Sequence, residues 1–257
     1  MLSSTESSNS YKSKKFYRPS NRFGVKRALL SASALALLVG VGSPISGVSA
    51  QASVMATNAS QTVVVHSAAT KASLALSKLS VKGRAPKTGY DRTLFSDGWG
   101  NIGSCDLRNY VLARDLKSVT WRAGESCMVE TGVLKDPYTG KTINFKRGIS
   151  TSLKVQIDHV VPVSDAWQKG AQSLTSQLRY NFYNDPLNLL AVDGPTNSSK
   201  SDSDAASWLP PNKPYRCAYV SRQIAVKLKY KLWVTSAEKD AMARVLTACP
   251  NFLLPTK

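Results

Sequence analysis

Residues 90–257 are predicted to form an α+β domain, and three observations predict it. Two short apolar runs, 127–134 and 142–145, flank Asp136-Pro137-Tyr138-Thr139-Gly140, whose Pro and Gly mark the tight connection of a β-hairpin. A further alternating run, 153–157, leads directly into Asp158-His159. The remainder carries apolar residues at three- and four-residue steps, the stripe of amphipathic helices.

In chain order, Leu107, Tyr110, Val111 and Leu116 place a short helix in 105–117, ahead of the hairpin. After the strand at 153–157, Trp167, Ala171, Leu174, Leu178 and Phe182 stripe a single helical insert over 164–182. Residues 188–192 read as a short apolar strand, and 197–206, after Pro195, as a short polar helix. The C-terminal part reads as a helical hairpin. Cys217, Val220, Ile224 and Leu228 stripe its first helix, and Ala241, Val245 and Cys249 its second. Thr235 with Glu238 fits a capping box at the start of that second helix. Antiparallel packing sets the first end of one helix beside the last end of the other. A Cys217–Cys249 disulfide is therefore geometrically reasonable, which leaves Cys105 to pair with Cys127. With no C-x-x-C anywhere, a zinc site is the weaker use of these cysteines.

The chain holds 34 Lys+Arg against 16 Asp+Glu, a net charge of +18, which favours anionic partners. Residues 12–27 carry seven basic side chains and no acid, and an uncharged, mostly apolar run follows over 28–41. That run falls short of the roughly 20 residues a membrane-spanning helix needs. Val48-Ser49-Ala50 then fits a small-residue cleavage site. Residues 1–50 are therefore read as a secretory signal peptide, and the product as secreted and extracellular, with no stable membrane span once the signal is removed. Export into an oxidising compartment favours the two disulfides over free thiols. Setting aside the seven basic residues and one acid of 1–50 leaves a net charge of +12. Residues 51–89 hold Lys71, Lys78, Lys82, Arg84 and Lys87, no acid and no sustained period, and are read as a flexible basic linker.

The chemically informative stretch joins Val155 to Pro162, Asn188 to Val192 and Asn197 to Lys200. Adjacent Asp158 and His159 at a strand end send their side chains to opposite faces, so a carboxylate and an imidazole can take separate roles around one phosphate. Asn197 follows a strand and opens a helix, where its amide oxygen can meet the Asp158 carboxylate at one hard cation. Oxygen-only ligation with open water positions suits Mg²⁺, with Mn²⁺ or another divalent ion as alternatives. Lys200, one turn later, can meet a phosphate oxygen. An Asp-His pair by itself is more often a turn cap; Asn188 and Asn197 at matching separations argue otherwise. Two histidines in the whole chain exclude His-rich zinc hydrolysis, and no G-x-S-x-G elbow accompanies His159 to make it the partner of a serine nucleophile. Arg179, Lys213, Arg216, Arg222, Lys227, Lys229 and Lys231 add positive charge beyond the site, with Arg179 as a further substrate contact. No base-reading module is present, so phosphate binding of low sequence specificity is expected.

The pattern D-H-x-x-P … N-L-x-x-V … N-x-x-K resembles the HNH (His-Me finger) endonucleases. The segments CDLRN, DPYTGK, QIDHVVPVSDAW, NDPLNLLAV, NSSKSD and WLPP more closely resemble exported bacterial HNH nucleases related to the C-terminal domain of GmrSD-type restriction endonucleases. That resemblance implies a ββα-metal core with Asp158 and Asn197 as metal ligands and His159 as general base. Asn188 would brace the loop that holds the imidazole, and Asn197 stands where a final His is usual. It implies cleavage to a 5′-phosphate and a 3′-hydroxyl. The resulting expectation is a secreted, monomeric, divalent-metal-dependent endonuclease of DNA, with RNA as a second substrate. The alternative is a non-catalytic secreted binder of DNA or of an anionic cell-wall polymer.

Overall fold

The computed structural model describes residues 70–255. The expected signal peptide and the first part of the expected linker lie outside those residues. The second part of that linker is built into the fold. Helix α1 (Ala72–Ser77) buries Ala72, Ala75 and Leu76 against the two C-terminal helices. Lys71 bridges to Leu253 and Val81 to Val234, and the Ala85 N–H donates to the Gln168 carbonyl at 2.9 Å. The expected flexible linker is thus corrected over 70–89. Six helical residues are too few to hold a helix in water, so packing rather than local pattern decides this segment.

A two-residue hairpin, β1 (Asn101–Ile102) with β2 (Cys105–Asp106), delivers Cys105 to Cys127 at a Cα separation of 5.1 Å. Helix α2 (Leu107–Asp115) starts on Asp106, whose carboxylate accepts from the Asn109 N–H at 2.9 Å. It buries Leu107, Val111 and Leu112 against an antiparallel sheet of β3 (Leu116–Trp121), β4 (Val129–Lys135) and β5 (Thr142–Lys146). The predicted hairpin is β4–β5, with Gly140 at φ +74° closing its turn. Strand β3 has no counterpart in the sequence reading. Ser118 at φ +49° and two register shifts break the alternation that would have announced it.

Strand β6 (Val155–His159) and strand β7 (Leu189–Asp193) pair antiparallel, Asp158 opposite Leu190 and His159 opposite Leu189. Helix α5 (Gly194–Lys200) follows β7 directly, with Asp193 as its cap and Pro195 in its first turn. It packs on both strands, and a Cβ at Gly194 would lie 2.0 Å from the Leu153 carbonyl oxygen, so only glycine permits this approach. The sheet is buried on both faces. Val155, Ile157, Leu189 and Ala191 join the cluster around α2, whereas Leu190 and Val192 join the cluster around the C-terminal helices. Two-sided burial explains why LLAV reads as an unbroken apolar run.

The predicted single helix over 164–182 is two helices, α3 (Val163–Gln168) and α4 (Ser176–Tyr183), separated by a 3-10 turn at Ala171–Ser173. Gly170, at φ +118° with Trp233 packed where a side chain would be, breaks the run, and Thr175 caps the restart. Trp167, Ala171, Leu174 and Phe182 of the stripe still face one core around Phe95, whereas Leu178 is exposed. The predicted C-terminal hairpin forms as α6 (Arg216–Lys229) and α7 (Ser236–Thr247), with the Cys217–Cys249 disulfide at a Cα separation of 6.5 Å. The Thr235 hydroxyl accepts from the Glu238 N–H at 3.2 Å, but Glu238 does not complete a capping box. Its carboxylate instead turns inward to Lys169 (2.6 Å) and Lys227 (2.9 Å).

That inward turn belongs to a buried ion network. The Lys169 ammonium also contacts Asp165 and Asp204, each at 2.7 Å. Arg84, from the segment ahead of the predicted domain, contacts the same two carboxylates at 3.0 and 2.7 Å. The network therefore locks α3, α6, α7 and the N-terminal segment together. Among the described residues no helix is long and apolar enough to cross a membrane.

Candidate active site

The β6–β7–α5 unit brings the sequence-selected residues to one end of a buried two-stranded sheet. Asp158 lies on the face covered by α5, and His159 on the opposite face. Both line a cavity of about 320 Å³ at the strand end, together with Asn197, Arg92, Ser201 and Asp202. Asn188 does not reach the cavity. Fully buried, its side-chain oxygen accepts from the Val161 N–H at 2.8 Å and its amide donates back to the Val161 carbonyl at 3.3 Å. It therefore clamps the chain two residues beyond His159.

The His159 ring is fixed by three contacts from two residues. Trp99 stacks on it at 5.6 Å and 13°, and the Tyr183 ring lies 4.5 Å away. The third constraint is a 2.8 Å contact between Nε2 and the Tyr183 carbonyl. A carbonyl only accepts, so Nε2 carries the proton and Nδ1 keeps its lone pair. Burial first, and then the Arg92 and Lys200 cations, push the imidazolium pKa down to about 3. The ring is therefore neutral through the physiological range.

This shift has a consequence for stability. The unfolded chain takes up a proton at His159 near its ordinary value of about 6.5, whereas the folded chain does so only near about 3. The contribution is fully present above about pH 6.5 and is lost as pH falls from there toward 3. Its slope is at most about 1.4 kcal/mol per pH unit. Urea unfolding at pH 7 and pH 4.5 should show the loss, and His159→Gln should reduce it.

Asp158 is buried with both oxygens engaged. Oδ1 accepts from the Lys200 ammonium at 2.9 Å, and Oδ2 accepts from the Tyr138 hydroxyl. Burial raises its pKa, against the lowering effect of Lys200 and Tyr138. The Asn197 amide donates to Gln156 Oε1 at 2.8 Å, which leaves its carbonyl oxygen available. Whether these groups suit a divalent cation turns on lone pairs. Each Asp158 oxygen accepts one hydrogen bond and retains further acceptor capacity, and Asn197 adds one oxygen in the same cavity. One carboxylate and one amide oxygen suit a small hard ion that keeps most of its water. They do not suit a closed cage, and among the described residues no group of three or more His, Cys, Asp or Glu could form one.

Two expected phosphate contacts are turned inward. Lys200 is fully buried, donating to Asp158 and, at 2.9 Å, to the His159 carbonyl. Arg179 donates to the carbonyls of Leu94 (3.0 Å) and Leu174 (2.6 Å) and does not line the cavity. The expected basic run is likewise dispersed. Lys227 lies in the buried network, Lys229 pairs with Asp185 at 2.7 Å, and Arg222 donates to the Leu187 carbonyl at 2.8 Å. The cavity's exposed cation is instead Arg92, which the sequence reading did not single out. Its guanidinium lies 5.0 Å over the Tyr183 ring, donates to the Tyr183 hydroxyl and forms no ion pair among the described residues. Tyr138, from the DPYTG turn, was missed as a partner of Asp158 for a similar reason. Neither residue has a local pattern that separates it from an ordinary surface arginine or turn tyrosine.

Residues 106–245 match the family described as GmrSD restriction endonucleases, C-terminal domain. A protein of Arthroderma benhamiae named "Uncharacterized secreted protein" is 40% identical over 187 residues, 72% of this chain and 87% of its own length. No solved structure matches the chain.

Proposed function

The chain belongs to the family of the GmrSD restriction endonuclease C-terminal domain, and on that premise we propose that it is an exported, divalent-metal-dependent endonuclease that hydrolyses phosphodiester bonds of DNA, and of RNA as a second substrate. The observation that carries the reading is the His159 ring, with Nε2 capped by a carbonyl and Nδ1 bare beside a polar cavity. In this reading β6, β7 and α5 are the ββα core of an HNH nuclease. His159 Nδ1 takes the proton of the attacking water, Asn188 holds the loop behind it, and Trp99 keeps the ring in plane. Asp158 and Asn197 would hold the cation. When bound, that ion would offset the charge developing on the phosphodiester oxygens.

Arg92 contributes, after burial, to the weakness of this base. Its cation beside His159 disfavours a protonated ring, and a phosphate drawn to Arg92 would cancel that effect as the reaction proceeds. Export is supported by the basic, apolar, small-residue order of residues 12–50, by two disulfides, and by the similarity to the secreted protein of Arthroderma benhamiae. The lack of a base-reading module supports low sequence specificity.

The test is incubation of the mature protein with supercoiled plasmid and, separately, with RNA in Mg²⁺ or Mn²⁺. Nicking that stops on EDTA addition and resumes with excess Mg²⁺ is the expected result. Salt-sensitive retention on DNA without any nicking, under either metal, would leave only a binder.

A further inference from the structure

A second concavity lies beyond the one that holds His159. Its volume is about 440 Å³, its floor is apolar, with Leu209 and Val245, and its rim carries Lys213, Arg216 and Arg244. None of these three cations forms an ion pair among the described residues. Only Nε of Arg216 is engaged, donating to the Pro210 carbonyl at 2.8 Å. The walls are the 205–213 segment and the facing ends of α6 and α7, and the Cys217–Cys249 disulfide ties the two helices, so the groove is preformed.

The chain itself connects the groove to the catalytic cavity. Asp202 lines the cavity and Ala205 lines the groove. Three residues span at most about 11 Å, so the near edges of the two sites lie within a few nucleotides of each other. Cations around an apolar floor are what a single nucleic-acid strand requires, with phosphates at the rim and base faces on the floor. Building on the nuclease reading above, we infer that the groove formed by the 205–213 segment, α6 and α7 binds the nucleic-acid strand a few nucleotides from the cleaved phosphate, through Lys213, Arg216 and Arg244. Arg179 and Lys200, which the sequence suggested for phosphate binding, are replaced in that role by residues of the C-terminal hairpin and of the turn that leads into it.

The experiment measures affinity of the mature, oxidised protein for a 12-nucleotide single-stranded DNA in EDTA across a salt series, so that no cleavage is needed. Lys213→Gln with Arg244→Gln removes two exposed charges, and Lys117→Gln with Lys141→Gln removes two exposed charges elsewhere as a control. The groove pair is expected to lower the slope of log affinity against log salt by about 1.4, from about 0.7 per phosphate contact, while the control pair leaves it unchanged. Melting curves matching the wild type verify that both pairs fold. An unchanged slope for the groove pair, or an equal fall for the control pair, would overturn the assignment. Loss of binding to a soluble anionic cell-wall polymer with the DNA slope intact would overturn it in favour of that other polymer. Plasmid nicking by the wild type tests the parent reading separately, since the binding slope does not depend on catalysis.

Discussion

Replacing His159 with alanine is expected to lower kcat for plasmid nicking by about 10²- to 10⁴-fold, the usual contribution of a positioned general base. Only one ring nitrogen of His159 is free. The Tyr183 carbonyl takes Nε2–H at 2.8 Å, so the only imidazole atom able to accept a proton is Nδ1. Alanine removes that acceptor while Asp158 and Asn197 stay in place. Cation binding, read by Mn²⁺ titration of the variant, should therefore change little, and the loss should fall on kcat rather than on KM. Trp99 and Tyr183 lose a packing partner in the variant, so a melting curve must accompany the assay. Wild-type nicking rates in the folded alanine variant would remove His159 from the reaction.

The second large effect concerns stability. Lys169→Met is expected to destabilise the domain by about 3–5 kcal/mol, the cost typical of leaving buried charges uncompensated. Lys169 is fully buried and contacts Asp165, Asp204 and Glu238 between 2.6 and 2.7 Å. Without it, three carboxylates face only Lys227 and Arg84. For a domain of this size the loss corresponds to a melting temperature lower by about 6–20 °C. Chemical denaturation of the oxidised protein measures it. Lys169→Met combined with Glu238→Gln should cost less than the two separate losses added together, because the second change removes a carboxylate that the first left unpaired. Additive losses would mean that the two side chains do not interact.

Most of the candidate site was legible because its residues are local in sequence or follow a strand directly. Asp158 and His159 are neighbours on β6, and alternation alone assigns them to opposite faces. Asn188 and Asn197 bracket β7 and could be placed once that strand was found. Arg92 was not legible, because nothing in its own segment reports that Tyr183, 91 residues away, would hold it beside His159. Lys200 was misjudged for the opposite reason. Its helix position was sound, but burial turned the ammonium toward Asp158 and away from solvent. Lys227 reads in sequence as part of an outward basic run and Glu238 as a cap, whereas both are fully buried, because charge in sequence ordinarily means water.

The sequence alone determined the family, the α+β class, the pairing of all four cysteines and the strand that ends in Asp158-His159. These follow from short-range period, spacing and motif. Tertiary structure alone decided that residues 70–89 join the domain, that the insert breaks at Gly170, and that five ionic side chains share one buried network with Arg84 at its edge. It also decided which cations face the cavities. Each of those outcomes depends on a partner distant in the chain, and the free energy of burying a group is set by that partner rather than by the residues beside it.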